Sequence, residues 1–341
     1  MAFDIRKFKA HYGDANAEAT ACREDVALFD FSFMSRGTVS GPRAGDVLAR
    51  LISRPLTDMD VGAIRYCLRE AEDGHLLADL TVWRTDSETF EVMSGRPDDI
   101  EDLVNVASEL GQVAYNLTDE SRIFALQGPQ SFNAIKPMLS PHEAERLANL
   151  NYFRTMELKL ASVPVRIGRL GYTGERGFEL IVPANEAVRI WSGLAERARP
   201  AGFIAADMLR IEAGFVLFVN EFVLPVGAHE VGLAGFSTSN FSSTSLQPEV
   251  ELIAFTAKAS CDVELFQPPA TIQRPKKPGE LTVTSACGSV QAKGVLGLGY
   301  ALKERNAGCS FHDPNGQFVN IRNVTRPYFD PEKKRPRGPW C

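Results

Sequence analysis

Hydrophobic spacing divides the chain into a mixed first part and a strand-rich last part. Residues 46–52 and 100–110 repeat apolar positions at three- and four-residue intervals, which predicts helices. Asn185 is the candidate N-cap of a helix running to Arg199 and stopped by Pro200. Residues 207–213 predict a shorter helix ended by Gly214. Strands of period two lie between these, so residues 1–255 read as α+β. The polar stretch 237–248 reads as a surface loop. Residues 267–279 carry prolines at 268, 269, 275 and 278, which deny the backbone donors that a helix or sheet requires. That stretch reads as an extended linker, and its basic residues Arg274, Lys276 and Lys277, with Lys258 nearby, read as solvated. Beyond it, residues 281–284, 294–300 and 318–321 predict short strands, with Asn315-Gly316 as a hairpin turn before the last.

Two stretches carry candidate chemistry. The first joins residues 64–70 to 75–83 across Asp73-Gly74. A two-residue hairpin loop there would pair Glu72 with His75, Leu68 with Asp79 and Tyr66 with Thr81 on one face. Leu76, Ala78, Leu80 and Val82 form the smooth opposite face. Asp79 is then a carboxylate in mid-strand, diagonal to Tyr66, where aspartate is depleted. It is either an edge-strand charge facing water or a partly buried acid. The second stretch is Arg169-Leu170-Gly171-Tyr172-Thr173-Gly174-Glu175-Arg176-Gly177-Phe178-Glu179, set between strand-like segments. Its glycines every third residue permit positive φ and close backbone approach to a ligand. The spacing is neither a dinucleotide fingerprint nor a phosphate-binding P-loop, and a plain structural turn remains the alternative.

Composition narrows the classes without naming a function. The 341 residues predict about two domains and enough chain for a core without metal or disulfide staples. Net charge is −6 with no basic block, which argues against a nucleic-acid partner. No apolar run is long enough to span a membrane, and residues 1–7 lack a signal core. The six cysteines have no C-x-x-C pair and the five histidines no paired spacing, so neither a zinc site nor another metal site is expected. Reduced thiols and the absence of an export signal predict a cytoplasmic or organelle-matrix protein. Phe outnumbers Tyr by 21 to 7. Phe215, Phe218, Phe222, Phe236 and Phe241 are core residues or the lining of an apolar pocket.

The glycine-rich stretch resembles the R-x-G-Y-T-G-E-x-G-F-E signature of the folate-dependent aminomethyltransferase family, typified by the glycine-cleavage T-protein. Leu28-Phe29-Asp30-Phe31-Ser32-Phe33-Met34, Val39-Ser40-Gly41-Pro42, Leu126-Gln127-Gly128-Pro129, Leu209-Arg210-Ile211-Glu212-Ala213-Gly214, Asn220-Glu221 and Arg326-Pro327-Tyr328-Phe329-Asp330-Pro331 follow in the family's order. The similarity spans residues 25–235 and 281–331. It implies an α+β, three-domain ring-like fold around tetrahydrofolate, closed by a small C-terminal β-barrel. Residues 1–260 would form the folate-binding region as two intertwined α+β subdomains, and 281–341 the barrel. The resemblance also implies a catalytic aspartate at Asp79 and folate contacts at Tyr66, Tyr172 and Glu179.

Two departures bear on the one-carbon donor. Ala206 stands where the family carries an arginine before the aspartate matching Asp207, and Met93-Ser94-Gly95 replaces an asparagine-alanine. Both weaken recognition of a lipoyl-bound aminomethyl group. The sequence therefore favours a tetrahydrofolate-dependent methyltransferase or demethylase acting on a small methylated substrate. Alternatives are a T-protein proper, served by a lipoyl carrier protein, and a non-catalytic folate-binding protein. The iron–sulfur-maintenance relatives depend on a K-G-C-x-x-G-Q-E motif that this chain lacks.

Overall fold

The computed structural model describes residues 4–238, 249–259, 263, 265–269, 271–303 and 311–340. Its strands are β1 Ala27–Asp30, β2 Ser35–Ser40, β3 Ile64–Glu70, β4 Leu76–Asp86, β5 Thr89–Ser94, β6 Val113–Asn116, β7 Ser121–Gln127, β8 Thr155–Leu160, β9 Val163–Gly168, β10 Gly177–Pro183, β11 Arg199–Ala201, β12 Val250–Ala259, β13 Thr282–Ser289, β14 Gly294–Leu302 and β15 Phe318–Val324. The helices are α1 Ala15–Glu24, α2 Ala44–Ala49, α3 Asp98–Glu109, α4 Ser131–Ile135, α5 Pro141–Ala148, α6 Ala187–Ala195, α7 Phe203–Glu212 and α8 Phe218–Glu221. Helices and strands thus mix along the chain, as the patterning predicts. Contacts divide it into two compact units, one of Met1–Cys67, Asp79–Ala206 and Lys333–Cys341, the other of Leu68–Ala78 and Asp207–Glu332.

In the first unit, a six-stranded sheet runs β11-β1-β7-β10-β9-β8 and a five-stranded sheet β3-β4-β5-β2-β6. The larger sheet buries Leu28, Phe124, Leu126, Ile167, Phe178 and Leu180 among the helix residues Ile190 and Leu194. The smaller buries Cys67, Leu80, Val82, Val92, Ile100 and Leu103 in one cluster, so α3 covers it with the apolar face that its spacing predicts. Local chemistry sets the helix starts. Asp14 accepts from the amides of Asn16 and Ala17 to cap α1, and Ser140 caps α5 ahead of Pro141.

Three boundaries differ from the patterning. The helix expected to run from Asn185 to Arg199 is a short 3-10 turn followed by α6, which stops at Ala195. Residues Arg199–Ala201 instead add β11 in parallel to β1. An edge strand tolerates Pro200, because a proline needs no ladder donor there. The helix containing residues 207–213 begins four residues early, at Phe203, and Gly214 ends it at φ +69°. At the tip of the β3–β4 hairpin, the amide of Ala71 donates to His75 and that of Gly74 to Ala71. The loop is therefore Glu72-Asp73-Gly74, three residues rather than two, with Gly74 left-handed at φ +86°. Cys67 and Leu68 are both buried, so β3 also breaks strict alternation.

The second unit holds a four-stranded antiparallel sheet, β13-β14-β12-β15. Among the described residues no strand pairing closes it, and the predicted barrel is here an open order of strands. Single bridges Glu280↔His312 and Phe311↔Ile321 link its two edges through residues 311–312. Gly316, at φ +71°, turns the chain where Asn315-Gly316 predicts, with the Asp313 carboxylate accepting from the amides of Asn315, Gln317 and Phe318. Part of the 237–248 loop, including Phe241, lies outside the described residues.

Arg274 is not a solvated linker cation. It donates to both oxygens of Glu230, at 2.7 and 3.0 Å, and to the carbonyl of Pro225. The Glu230 carboxylate is fully buried and also accepts from the amides of Gly227 and Val250. Burial pushes this carboxyl up, but Arg274 and the amides outweigh it and hold the group below its usual range. Prolines prevent regular structure around Arg274 without preventing the side chain from anchoring the segment. Arg274→Ala should therefore cost roughly 3 kcal/mol in urea unfolding, the scale of stranding a buried charge. A loss under about 0.5 kcal/mol, typical of surface positions, would return the residue to solvent.

Candidate functional site

The site is built in the first unit, on β4, β10 and the glycine-rich loop. Along β4, Asp79, Thr81 and Trp83 occupy alternate positions and share one face. Cys67, Leu80 and Val82 go to the core on the other side. From β3, the Tyr66 hydroxyl donates to Asp79 Oδ2 at 3.1 Å, and both residues are half-buried. Asp79 is accordingly a partly buried acid with an aromatic donor.

Strand β10 is buried at six of its seven positions, and Glu179 is its one acid. Directly opposite lie Ala125 of β7 and Gly168 of β9. Cross-strand partners share a face, so two of the smallest side chains flank the Glu179 carboxyl. The Trp83 indole fills the place of the side chain that Gly168 lacks, since a Cβ there would lie 2.3 Å from it. Trp83 also donates from Nε1 to Thr81 Oγ1 at 3.0 Å. The Asp79–Thr81–Trp83 face of β4 thereby meets the face of β10 that bears Glu179.

No described residue hydrogen-bonds the Glu179 side chain. Burial alone pushes its carboxyl up to about 7. Tyr152 lies close enough for the Glu179 charge to act on it. Burial dominates that phenol and raises it to about 12, with Arg337 and Arg169 opposing.

The glycine-rich loop, whose spacing permits either close ligand approach or a plain structural turn, has two glycines that make room for a side chain. Of its glycines only Gly174 is left-handed, at φ +77°. Gly171 and Gly177 make room for Gln127, which a Cβ would approach to 1.9 and 2.7 Å respectively. The buried Gln127 amide donates to the carbonyls of Leu170 and Phe178, and its oxygen accepts from Thr173 Oγ1 at 3.0 Å. Arg23 donates to the Thr173 carbonyl at 2.7 Å and pairs with the buried Glu175. Tyr172 is half-buried within this frame.

Sequence reasoning passed over Gln127 as a strut, along with Trp83, Tyr152 and the Arg23–Glu175 pair. An uncharged amide at the end of an apolar strand, immediately before Gly128, was the available signal for Gln127. Phe222 is buried, while Phe215, Phe218 and Phe236 are half-buried in the second unit. Among the described residues, no helix is long and apolar enough to cross a membrane, and no three His, Cys, Asp or Glu side chains cluster to hold a metal.

Comparison with known proteins fits this geometry. The family model described as the GCVT N-terminal domain matches residues 6–239. The aminomethyltransferase of Corynebacterium aurimucosum is 33% identical over 65% of this chain and 62% of its own length. That of Chlorobaculum tepidum is 30% identical over 69% of this chain and 67% of its own. The matched region thus spans about three fifths to two thirds of these relatives. The glycine cleavage system aminomethyltransferase T from Bartonella henselae shares the fold, with TM-score 0.77 and 22% identity over 93% of this chain and 90% of that one. With the family model matching residues 6–239, well over half of its length, this chain belongs to the GCVT aminomethyltransferase family.

Proposed function

We propose that the protein is a tetrahydrofolate-dependent one-carbon transferase that moves a methyl or aminomethyl group from a small donor to N5 of the pterin. The observation that carries this reading is Glu179, a buried carboxyl with no hydrogen-bond donor among the described residues, on the β10 face that meets the Asp79 face of β4 through Trp83 and Gly168. A flat heterocycle with amide and amino donors supplies what that carboxylate lacks; the small Ala125 side chain leaves room on the β7 side, and the Trp83 indole over Gly168 bounds the β9 side. Tetrahydrofolate supplies the nucleophilic nitrogen.

The residues then divide the work. Glu179 orients the ring by accepting from its donor edge. Asp79 stands beside the nitrogen, where its charge offsets the positive charge that develops as the carbon–nitrogen bond forms. The bond from carbon to the donor's leaving group breaks, that group keeps the electron pair, and Asp79 helps to relay the proton shed by nitrogen. Tyr66 fixes the Asp79 carboxylate, and Tyr172 lines the ligand from the loop.

Two observations support a small methylated donor over a lipoyl arm. Ala206 is buried in α7 and offers only a methyl group. Ser94 donates to Asp99 Oδ2 at 2.6 Å and is already committed, while its neighbour Met93 is buried. A carrier arm thus finds neither the cation nor the amide that the family pattern provides. The cytoplasmic location and the barrel closure of the second unit belong to the same proposal, the latter supported by the two single bridges.

Calorimetry with tetrahydrofolate should show one site per chain, and the absence of binding at millimolar ligand would remove the whole reading. Incubation of enzyme and tetrahydrofolate with methylated glycines, a sulfonium, a methoxylated aromatic acid and an aminomethyl-lipoyl carrier then identifies the donor by mass spectrometry. We expect 5-methyl-tetrahydrofolate from one of the small compounds. Reaction with the carrier alone, giving the methylene form and ammonia, would make the chain a T-protein proper.

Asp79→Asn keeps the shape and removes the charge. Turnover should fall by about 10²–10⁴ with little change in folate affinity. Equal loss of both would make Asp79 a binding residue instead.

Glu179 also predicts a pH signature. Its folded pKa is raised, so the native state binds the extra proton. The associated stability is fully present below the ordinary carboxylate range and is lost as pH rises through about 7. From pH 5 to pH 8, wild type should lose about 2–3 kcal/mol relative to Glu179→Gln in urea unfolding. Parallel profiles for the two proteins would show that the carboxyl is ionised without cost. Because ring donors favour the ionised form, tetrahydrofolate affinity of wild type should rise with pH up to about 7 and then level, and Glu179→Gln should flatten that profile.

A further inference from the structure

Residues 335–340, within the first unit, lie against the glycine-rich loop at both of its ends. At the start of the loop, Arg169 donates from Nη2 to the Gly338 carbonyl at 2.5 Å and from Nη1 to the Leu150 carbonyl at 2.8 Å. At the far end, Arg176 donates to the carbonyl of Pro339. Two arginines that bracket Tyr172 therefore end on consecutive carbonyls of one short segment, which fixes the span between the loop ends. Next to the far end, Arg335 pairs with the buried Glu175 at 2.9 Å and donates to the Arg23 carbonyl, closing a group in which Glu175 lies between two guanidinium groups.

Trp340 anchors the segment. Its ring stacks on Phe178 with centroids 4.6 Å apart and 30° between planes, and contacts Phe132 at 5.8 Å. The Arg169 guanidinium lies 4.5 Å over the same ring. Phe178 immediately precedes Glu179 on β10, so the two side chains leave opposite faces of the strand. Trp340 thus braces β10 from behind, on the side away from the candidate ligand space.

We propose that residues 335–340 form a positioning clip for the glycine-rich loop, with Trp340 and Arg335 as its positioning residues and with Tyr172 and Glu179 as the groups it holds in place; the consequence for ligand affinity rests on the folate reading above. The segment touches neither Glu179 nor Asp79 in any contact described here, and it works by fixing the backbone between residues 169 and 179. Burial of the indole against Phe178 and the two arginine–carbonyl contacts are lost together when the segment lifts. The loop then gains backbone freedom where the site needs a fixed geometry, since displacements of about 1 Å from remote changes are enough to weaken a preorganised site.

The test uses the full chain with Trp340→Ala, Trp340→Phe and Arg335→Gln. In the absence of ligand, hydrogen–deuterium exchange at amides 170–177 should accelerate about tenfold or more in Trp340→Ala, with amides of the five-stranded sheet unchanged. The dissociation constant for tetrahydrofolate should rise about tenfold, with kcat at saturation falling less than about threefold. Trp340→Phe keeps an aromatic ring against Phe178 and should recover most of both effects. Arg335→Gln, at a half-exposed side chain, should accelerate exchange at the loop without a global loss of structure. Loop exchange at the wild-type rate in both Trp340→Ala and Arg335→Gln overturns the clip, as does acceleration spread evenly over the whole first unit. Wild type that fails to bind tetrahydrofolate removes the folate reading, while the exchange arm still decides the clip.

Discussion

A carboxyl enclosed in a sheet without a partner is the constraint on which the candidate site depends. The other buried acids among the described residues show how this chain ordinarily treats a buried charge. Glu175 has Arg23 and Arg335, Glu91 has Arg36 and Arg166, Glu221 has Arg210, and Glu230 has Arg274. Glu18 accepts from the amides of Tyr12 and Gly202, Asp99 from Ser94 and Arg96, and Glu212 from Ser289. Among the described residues Glu179 is the buried acid for which no donor is found, and its pKa shift has burial as its sole cause. Such a group costs stability when ionised, so the surrounding structure must over-determine its place. The rigid parts of the first unit do this: Gln127 ties the loop to β7 and β10, and Trp83 closes the gap over Gly168.

The two carboxylates of the site have different surroundings, and different environments are how one site gives two acids two roles. Asp79 is half-buried and accepts from a phenol, conditions compatible with a charge that offsets positive charge and exchanges protons with its surroundings. Glu179 is buried with no donor among the described residues. On the proposed function, exchanging these environments would defeat both roles: a solvated Glu179 would gain little from orienting a ring, and Asp79 would lose the phenol that holds it. On the same proposal the departures at Ala206 and Ser94 concern the donor, because both leave Tyr66, Asp79, Tyr172 and Glu179 untouched.

What the sequence made legible was local. The α3 stripe, the Gly214 stop and the Asn315-Gly316 turn all follow from residues within a few positions of one another. Asp79 stood out because an acid in a strand needs a reason, and the diagonal to Tyr66 needed only the hairpin. The loop at its tip was misjudged by one residue because Gly74 serves equally well in a two- or three-residue turn, and only the Ala71–His75 pairing distinguishes them. Long-range contacts were not legible. Pro200 looks like a helix stop until β1 offers it an edge to pair with. Arg274 looks solvated until Glu230, forty-four positions away, is placed beside it. The glycines at 171 and 177 signalled open backbone, but periodicity cannot say whether a ligand or a side chain fills the space. In the folded chain the occupant at both is Gln127, which brings β7 against the loop. Glu179 is the limiting case: the resemblance marks it as a contact, yet its raised pKa comes from burial in a strand flanked by β7 and β9, which are distant in the sequence.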